Sequence, residues 1–265
     1  MNKVTLTHHQ GYGDIFTSNS ICNYYSEKYD ELIIFTSSKE RKKIIDSIYN
    51  GNNKIKCVIP SFMPYNGSDT CLECMTYGTN NMCYRNQNQK CNFIDYSQYS
   101  DYINIKIGSF NNYLMWNEYV KNYFSFSHAF YGYDGLSDDI RIDKFKINRD
   151  YDLENKLFNE SGLIDKEYIV IHEDVNRGIT IDQTKTNHDV IYDLNNKSDI
   201  MIDQIKILEE SKEIHLIDSS YSVMIYFLSF HNDKIKNIPK FLHKHPHNRD
   251  FNIYKQPIAD NWYFL

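Results

Sequence analysis

A chain of 265 residues with 41% hydrophobic side chains can bury a sizeable core, as one large α/β domain or as two modest ones. Its formal charge of −6 provides no basic footprint for a polyanion, which argues against nucleic acid as a partner. No stretch approaches the ~20 apolar residues of a membrane span, the opening Met1 to His9 lacks the apolar run of a signal peptide, and six cysteines are too few for a disulfide scaffold, so the expected setting is the cytoplasm.

In chain order, β-prone runs at Val4 to His8, Glu31 to Thr36 and Lys54 to Ile59 alternate with helical stretches. The first helix is expected over Ser18 to Tyr29. The second spans Ser38 to Tyr49, with Ser38 as its cap and Ile44, Ile45 and Ile48 as its buried stripe. Lys39, Arg41, Lys42 and Lys43 enclose Glu40 and read as a solvated face of that helix. A polar segment at 61–92 then interrupts the alternation before strand-like Phe93 to Tyr96 and Ile103 to Ile107, and a helix is expected over Tyr113 to Phe130. The charged stretch Asp138 to Gly162 reads as a passage between halves, giving an N-terminal domain 1–160 and a C-terminal domain 161–265. In the second half, strands are expected at Tyr168 to His172, Val190 to Leu194, Ile214 to Ile217 and Lys240 to His243, with helices over Ser198 to Ser211 and after Ser219-Ser220. Strands alternating with helices predict parallel sheets with right-handed crossovers.

Three polar turns fall at expected strand ends, where open α/β sheets bind ligands. Gly11-Tyr12-Gly13-Asp14 joins the first strand to the first helix. Its glycines permit close backbone approach, and Asp14 is either a residue projecting into a cleft or a helix cap. His172-Glu173-Asp174-Val175-Asn176-Arg177-Gly178 offers a guanidinium that could grip a diphosphate with two parallel hydrogen bonds, Glu173 and Asp174 orienting it. The plainer reading of Arg177 is a surface ion pair. Asp218-Ser219-Ser220 places an acid and two hydroxyls at a helix start, as a phosphate cradle or as ordinary caps. A fourth feature, Cys71, Cys74, Cys83 and Cys91, has the chemistry for a structural zinc that pins the insertion, or the four are unligated thiols. Of the ten histidines, His8 and His9 stand at a strand end, whereas His243, His245 and His247 read as a polar loop.

Taken in order, the three turns resemble those of glycosyltransferases of the GT-B architecture. Gly11-Tyr12-Gly13-Asp14-Ile15-Phe16-Thr17 is similar to the G-x-G-D-x-x-x-T opening of the heptosyltransferase-like group, with the threonine one residue early. His172 to Gly178 resembles the H-x-x-x-x-R-G region of fucosyltransferase-like enzymes, although Gly178 stands where their pattern has a second arginine, and Asp218-Ser219-Ser220 looks like their later Asp-Ser-Ser segment. The resemblance implies two Rossmann-like halves facing across a cleft; the cysteine-rich insertion in the first half has no counterpart in these enzymes. The resemblance further implies Asp14 as the catalytic base, a donor site formed by Gly11, Gly13, His172, Arg177, Asp218, Ser219 and Ser220, and inverting transfer that needs no metal. The implied partners are a nucleotide-sugar donor and a glycan acceptor, in a bacterial surface-glycan cluster or in the host cytoplasm of a large DNA virus. The competing expectation is a non-catalytic, zinc-stabilised α/β module that binds another protein.

Overall fold

The β-branched runs of the first half form a four-stranded parallel sheet in the computed structural model, which describes residues 2–7, 11–36, 38–60, 62–63, 93–107, 131, 135–175, 178–182, 188–196, 200–243 and 261–265. The strands are β1 (Lys3–Thr7), β2 (Glu31–Phe35), β3 (Ile55–Val58) and β6 (Ile103–Lys106), in the order β3-β2-β1-β6. β2 is buried from Leu32 to Phe35, as an internal parallel strand covered on both faces should be. β3, at the edge, buries only Ile55 and Cys57. A separate antiparallel pair, β4 (Phe62–Met63) with β5 (Phe93–Ile94), brackets the segment 64–92. That segment, with Cys71, Cys74, Cys83 and Cys91, lies outside the described residues, as does the helix expected at 113–130.

The helical turns follow the sequence closely where a cap is present. α3 (Lys39–Ile48) starts at Ser38, whose hydroxyl accepts from the Arg41 amide at 3.2 Å, and it buries Ile44, Ile45 and Ile48. The helix expected over Ser18 to Tyr29 is present, flanked by those two residues as its caps, and a short helix that the sequence reading did not separate precedes it from Tyr12. α1 (Tyr12–Thr17) and α2 (Asn19–Lys28) meet at Ser18, whose side chain bonds back to the Asp14 carbonyl at 2.7 Å, a competition with the backbone that tends to break or bend helices.

Two compact units result, Met1–Ile147 and Asn148–Leu265. The sequence reading placed the passage at 160/161, and hydrogen bonding on either side of Ile147 accounts for the difference. Buried Asn19 treats Lys146 as a strand partner, donating to its carbonyl at 3.0 Å and accepting from its amide at 2.9 Å, and this ties the end of the first unit down. Arg149 belongs to the second unit, where its guanidinium bonds Glu154, on α5 (Tyr151–Glu160), and Glu209, on α6 (Ile205–Glu209). Asn232 donates to the same Glu209 at 2.7 Å. Burial opposes the charge on both carboxylates; it leaves Glu154 above its ordinary pKa, whereas Arg149 and Asn232 hold Glu209 below it.

The second unit holds a five-stranded sheet, all parallel, in the order β11-β10-β9-β7-β8. Its strands are β7 (Ile169–His172), β8 (Ile191–Asp193), β9 (Glu213–Leu216), β10 (Lys240–Leu242) and β11 (Trp262–Phe264). The helix expected over 198–211 is a 3₁₀ turn, Met201–Gln204, running into α6. α7 (Ser220–His231) is apolar nearly all round and is buried accordingly, from Tyr221 and Ser222 through Met224 to Ser229. The short α8 (Asp233–Asn237) follows it. Lys240, fully buried on β10, caps the end of α8 by donating to the carbonyls of Ile235 and Ile238 at 2.7 Å and of Lys236 at 3.1 Å. On the sheet, His215 stacks on Phe241, and Phe241 on Tyr263. His215 also joins its ring nitrogens to Glu213 at 3.0 Å and to His243 at 2.9 Å.

Two outcomes follow for stability. Arg149→Ala leaves buried Glu154 and half-buried Glu209 without their cation and is expected to lower unfolding free energy by about 3 kcal/mol in chemical denaturation. Burial holds the His215 pKa below its ordinary value despite Glu213. The unfolded chain therefore takes up a proton at His215 more readily than the folded one, and this contribution, intact above the ordinary histidine pKa, is lost as pH falls from about 6.5 through the lower pKa of the folded state. Denaturation midpoints measured between pH 8 and pH 5 are expected to fall more steeply for the native chain than for His215→Phe. Parallel pH profiles would contradict the assignment.

Candidate functional site

Among the described strands, each parallel sheet has one place where the chain reverses its direction of travel. In the first unit the chain steps from β1 to β2 to β3 and then returns past β1 to lay down β6, so the reversal lies between β1 and β6. In the second it steps from β7 to β8, returns past β7 to β9, and continues to β10 and β11, so the reversal lies between β7 and β9. Connections leaving the carboxyl ends of two such strands diverge and leave a crevice, which is where ligands of open α/β sheets bind. The three turns singled out from sequence follow β1, β7 and β9.

In the second unit, two of those turns meet. His172 ends β7, 8% exposed, and its Nδ1 lies 3.1 Å from Oγ of Ser219, the residue that caps α7 beyond β9. The His172 ring also packs against Tyr221, with centroids 4.5 Å apart. Ser219 donates its backbone N–H to the hydroxyl of Ser222 at 2.9 Å, and its own Oγ lies within hydrogen-bond distance of the histidine. Asp218 and Ser220 flank it and are partly exposed. The first turn of α7 contains no acidic residue, so nothing in it opposes an anion at the positive end of the helix.

The loop after β7 is shaped by its neighbours. Glu173, expected to orient Arg177, accepts the Ile181 amide at 2.6 Å through its carboxylate, while its carbonyl accepts from Asn195 at 2.7 Å. Asp174 and Ile179 exchange two backbone hydrogen bonds of 2.9 Å, and the Gly178 amide closes on the Val175 carbonyl at 3.0 Å. Gly178 has φ +69°, a conformation that disfavours any side chain, and this is a physical reason for glycine where the fucosyltransferase pattern has arginine. Arg177 itself lies outside the described residues.

In the first unit, Gly11 caps α1 with extended backbone, and Gly13 and Asp14 lie in the first turn. The Asp14 carboxylate accepts the Gly11 N–H at 3.0 Å, reaching back from the third helical position to the residue that caps the helix, Gly11 and not Asp14 being the cap. A Cβ on Gly11 would stand 2.6 Å from Asp14 Oδ2, so the bare backbone is what lets the carboxylate lie where it does. His8 and His9 fall outside the described residues, and among those described no group of His, Cys, Asp and Glu is arranged to hold a metal ion. Among the same residues no helix is long and apolar enough to cross a membrane.

Sequence reasoning missed Tyr221 and Asn195. Tyr221 directly follows the Ser219-Ser220 pair, but its contact with His172 depends on the neighbouring placement of β7 and β9. Compared with protein-family models, curated proteins and solved structures, the chain matches none of them.

Replacing Gly178 by alanine keeps the loop but forces a side chain into the left-handed region. Chemical denaturation is expected to register a loss of about 1 kcal/mol, whereas Gly178→Asn, which tolerates that region, should lose less.

Proposed function

We propose that the chain is a GT-B-type glycosyltransferase that moves a sugar from a nucleoside-diphosphate sugar to a hydroxyl of a glycan acceptor, with inversion and without a catalytic metal. The observation that carries the reading is the 3.1 Å approach of His172 to Ser219 beside the start of α7, at the point where the second sheet reverses. Hydroxyls and first-turn N–H groups at such a position suit the oxygens of a diphosphate. The same rule of sheet topology applies to Gly11-Tyr12-Gly13-Asp14 beside the reversal of the first sheet.

In this reading the acceptor oxygen attacks the anomeric carbon as the bond from that carbon to the diphosphate oxygen breaks. The nucleoside diphosphate leaves with the electron pair, and the acceptor proton passes to the Asp14 carboxylate. Arg177, His172, Ser219 and Ser220 hold the diphosphate, with Asp218 lining the nucleotide pocket, and Gly11 and Gly13 give the backbone close approach. Electrostatic stabilisation of the leaving group is the larger contribution, and general-base help supplies about 10²–10⁴-fold. Cys71, Cys74, Cys83 and Cys91 enter the proposal as a structural zinc site apart from the chemistry.

Thermal shift against UDP-, GDP-, CDP- and ADP-sugars tests the reading, and one of these donors is expected to raise the melting temperature. Arg177→Ala should then weaken donor binding and lower turnover together, by about 10²–10³-fold in turnover. Asp14→Asn should lower turnover by about 10²–10⁴-fold while donor affinity survives. Zinc in the purified protein with no response to any nucleotide sugar would replace the enzyme by the protein-binding module.

A further inference from the structure

The ring of His172 is held on its edge by Ser219 and on its face by Tyr221. What holds Tyr221 is a set of buried polar groups to which the donor-binding reading gives no part. Gln204, the last residue of the 3₁₀ turn, is fully buried. Its amide nitrogen donates to the Tyr221 hydroxyl at 2.7 Å and to the Leu194 carbonyl at 3.2 Å, and its amide oxygen accepts from the Tyr192 hydroxyl at 3.4 Å. The Tyr221 hydroxyl donates to the same Leu194 carbonyl at 3.3 Å. Amide, phenol and carbonyl thus close a triangle in which each group bonds the other two. Burial pushes the Tyr221 phenol well above its ordinary pKa and Tyr192 up to about 12, so both hydroxyls keep the protons that these bonds require.

A buried amide must place both of its N–H groups, and its planar fork fixes their directions. With its hydroxyl held at the far end, the axis of the Tyr221 ring is fixed, and the preference of a phenol O–H to lie in the ring plane makes the donation to Leu194 favour one plane, so the imidazole packed against it at 42° is constrained in turn. We propose that Gln204 is a positioning residue which, through Tyr221, sets the plane of the His172 ring and so the direction in which Nδ1 meets Ser219. The consequence for ligand binding rests on the glycosyltransferase reading; the effect on the ring does not.

The test uses the full chain and two variants, Tyr221→Phe, which keeps the ring and removes only the hydroxyl, and Gln204→Met, which keeps the length and removes the amide. Histidine-ring ¹H–¹⁵N spectra, with the His172 signal identified from its loss in His172→Asn, are expected to show that signal displaced in both variants. Titrations with GDP and with UDP are expected to show about fivefold weaker binding of whichever nucleotide the native chain takes, the equivalent of one lost buried hydrogen bond. A His172 signal unmoved in folded Tyr221→Phe would overturn the proposal, and that variant decides alone should Gln204→Met fail to fold. If the native chain binds neither nucleotide and no CDP- or ADP-sugar raises its melting temperature, the donor reading fails, while the ring spectra still decide the positioning role.

Discussion

Two neighbouring parallel strands that send their chains in opposite directions leave nothing of their own to close the space above their carboxyl ends. That constraint governs this protein, because each unit has one such pair among its described strands, β1 with β6 and β7 with β9. In the second unit the pair is anchored in apolar packing. β7 is buried along its whole length, and just ahead of it the Tyr168 hydroxyl is spent on the Ile207 carbonyl at 2.7 Å. The register that sets His172 opposite Leu216 brings the end of β7 level with the turn that delivers Ser219. Hydrophobic burial supplies the energy, and strand order supplies the meeting of two polar residues far apart in sequence.

Polar groups inside the units are resolved by local partnership. Asn19 completes a backbone pair with Lys146, and Arg149 answers two carboxylates. Groups of this kind add little net stability when satisfied and are expensive when stripped of a partner. A packing that stripped them of those partners would bear that cost in full, whereas here each lies beside the apolar core with its partner in place.

Much of the scaffold could be read directly from residues. Ser38 with Ile44, Ile45 and Ile48 announced a capped amphipathic helix, and the apolar runs of β2 and β7 announced internal parallel strands, since both signals are local. The helix that starts after Ser18 was legible as well, whereas α1 ahead of it was not, because six residues whose first, Tyr12, stands between two glycines carry no helical periodicity of their own. The charged stretch before Gly162 looked like a linker because charge usually means solvent; Arg149 and Glu154 are charged and yet packed, and only the position of Glu209 reveals it. β11 escaped notice because Trp262 to Phe264 is short and gains its meaning from β10 alongside. At the candidate site the types of residue were visible in the turns, whereas the pairing of His172 with Ser219, and of Tyr221 with Gln204, depends on strand order, which no local pattern encodes.

Lys240 carries one last implication. Its ammonium is enclosed by three carbonyls at the end of α8, and it sits on the strand to which β11 is paired. Any fraying of that corner would have to pull a charge out of a fitted peptide cage before water could solvate it. β11, short and at the sheet's margin, thus pairs with a strand that is itself anchored, so its partner edge keeps its place whether or not the ladder between them is closed.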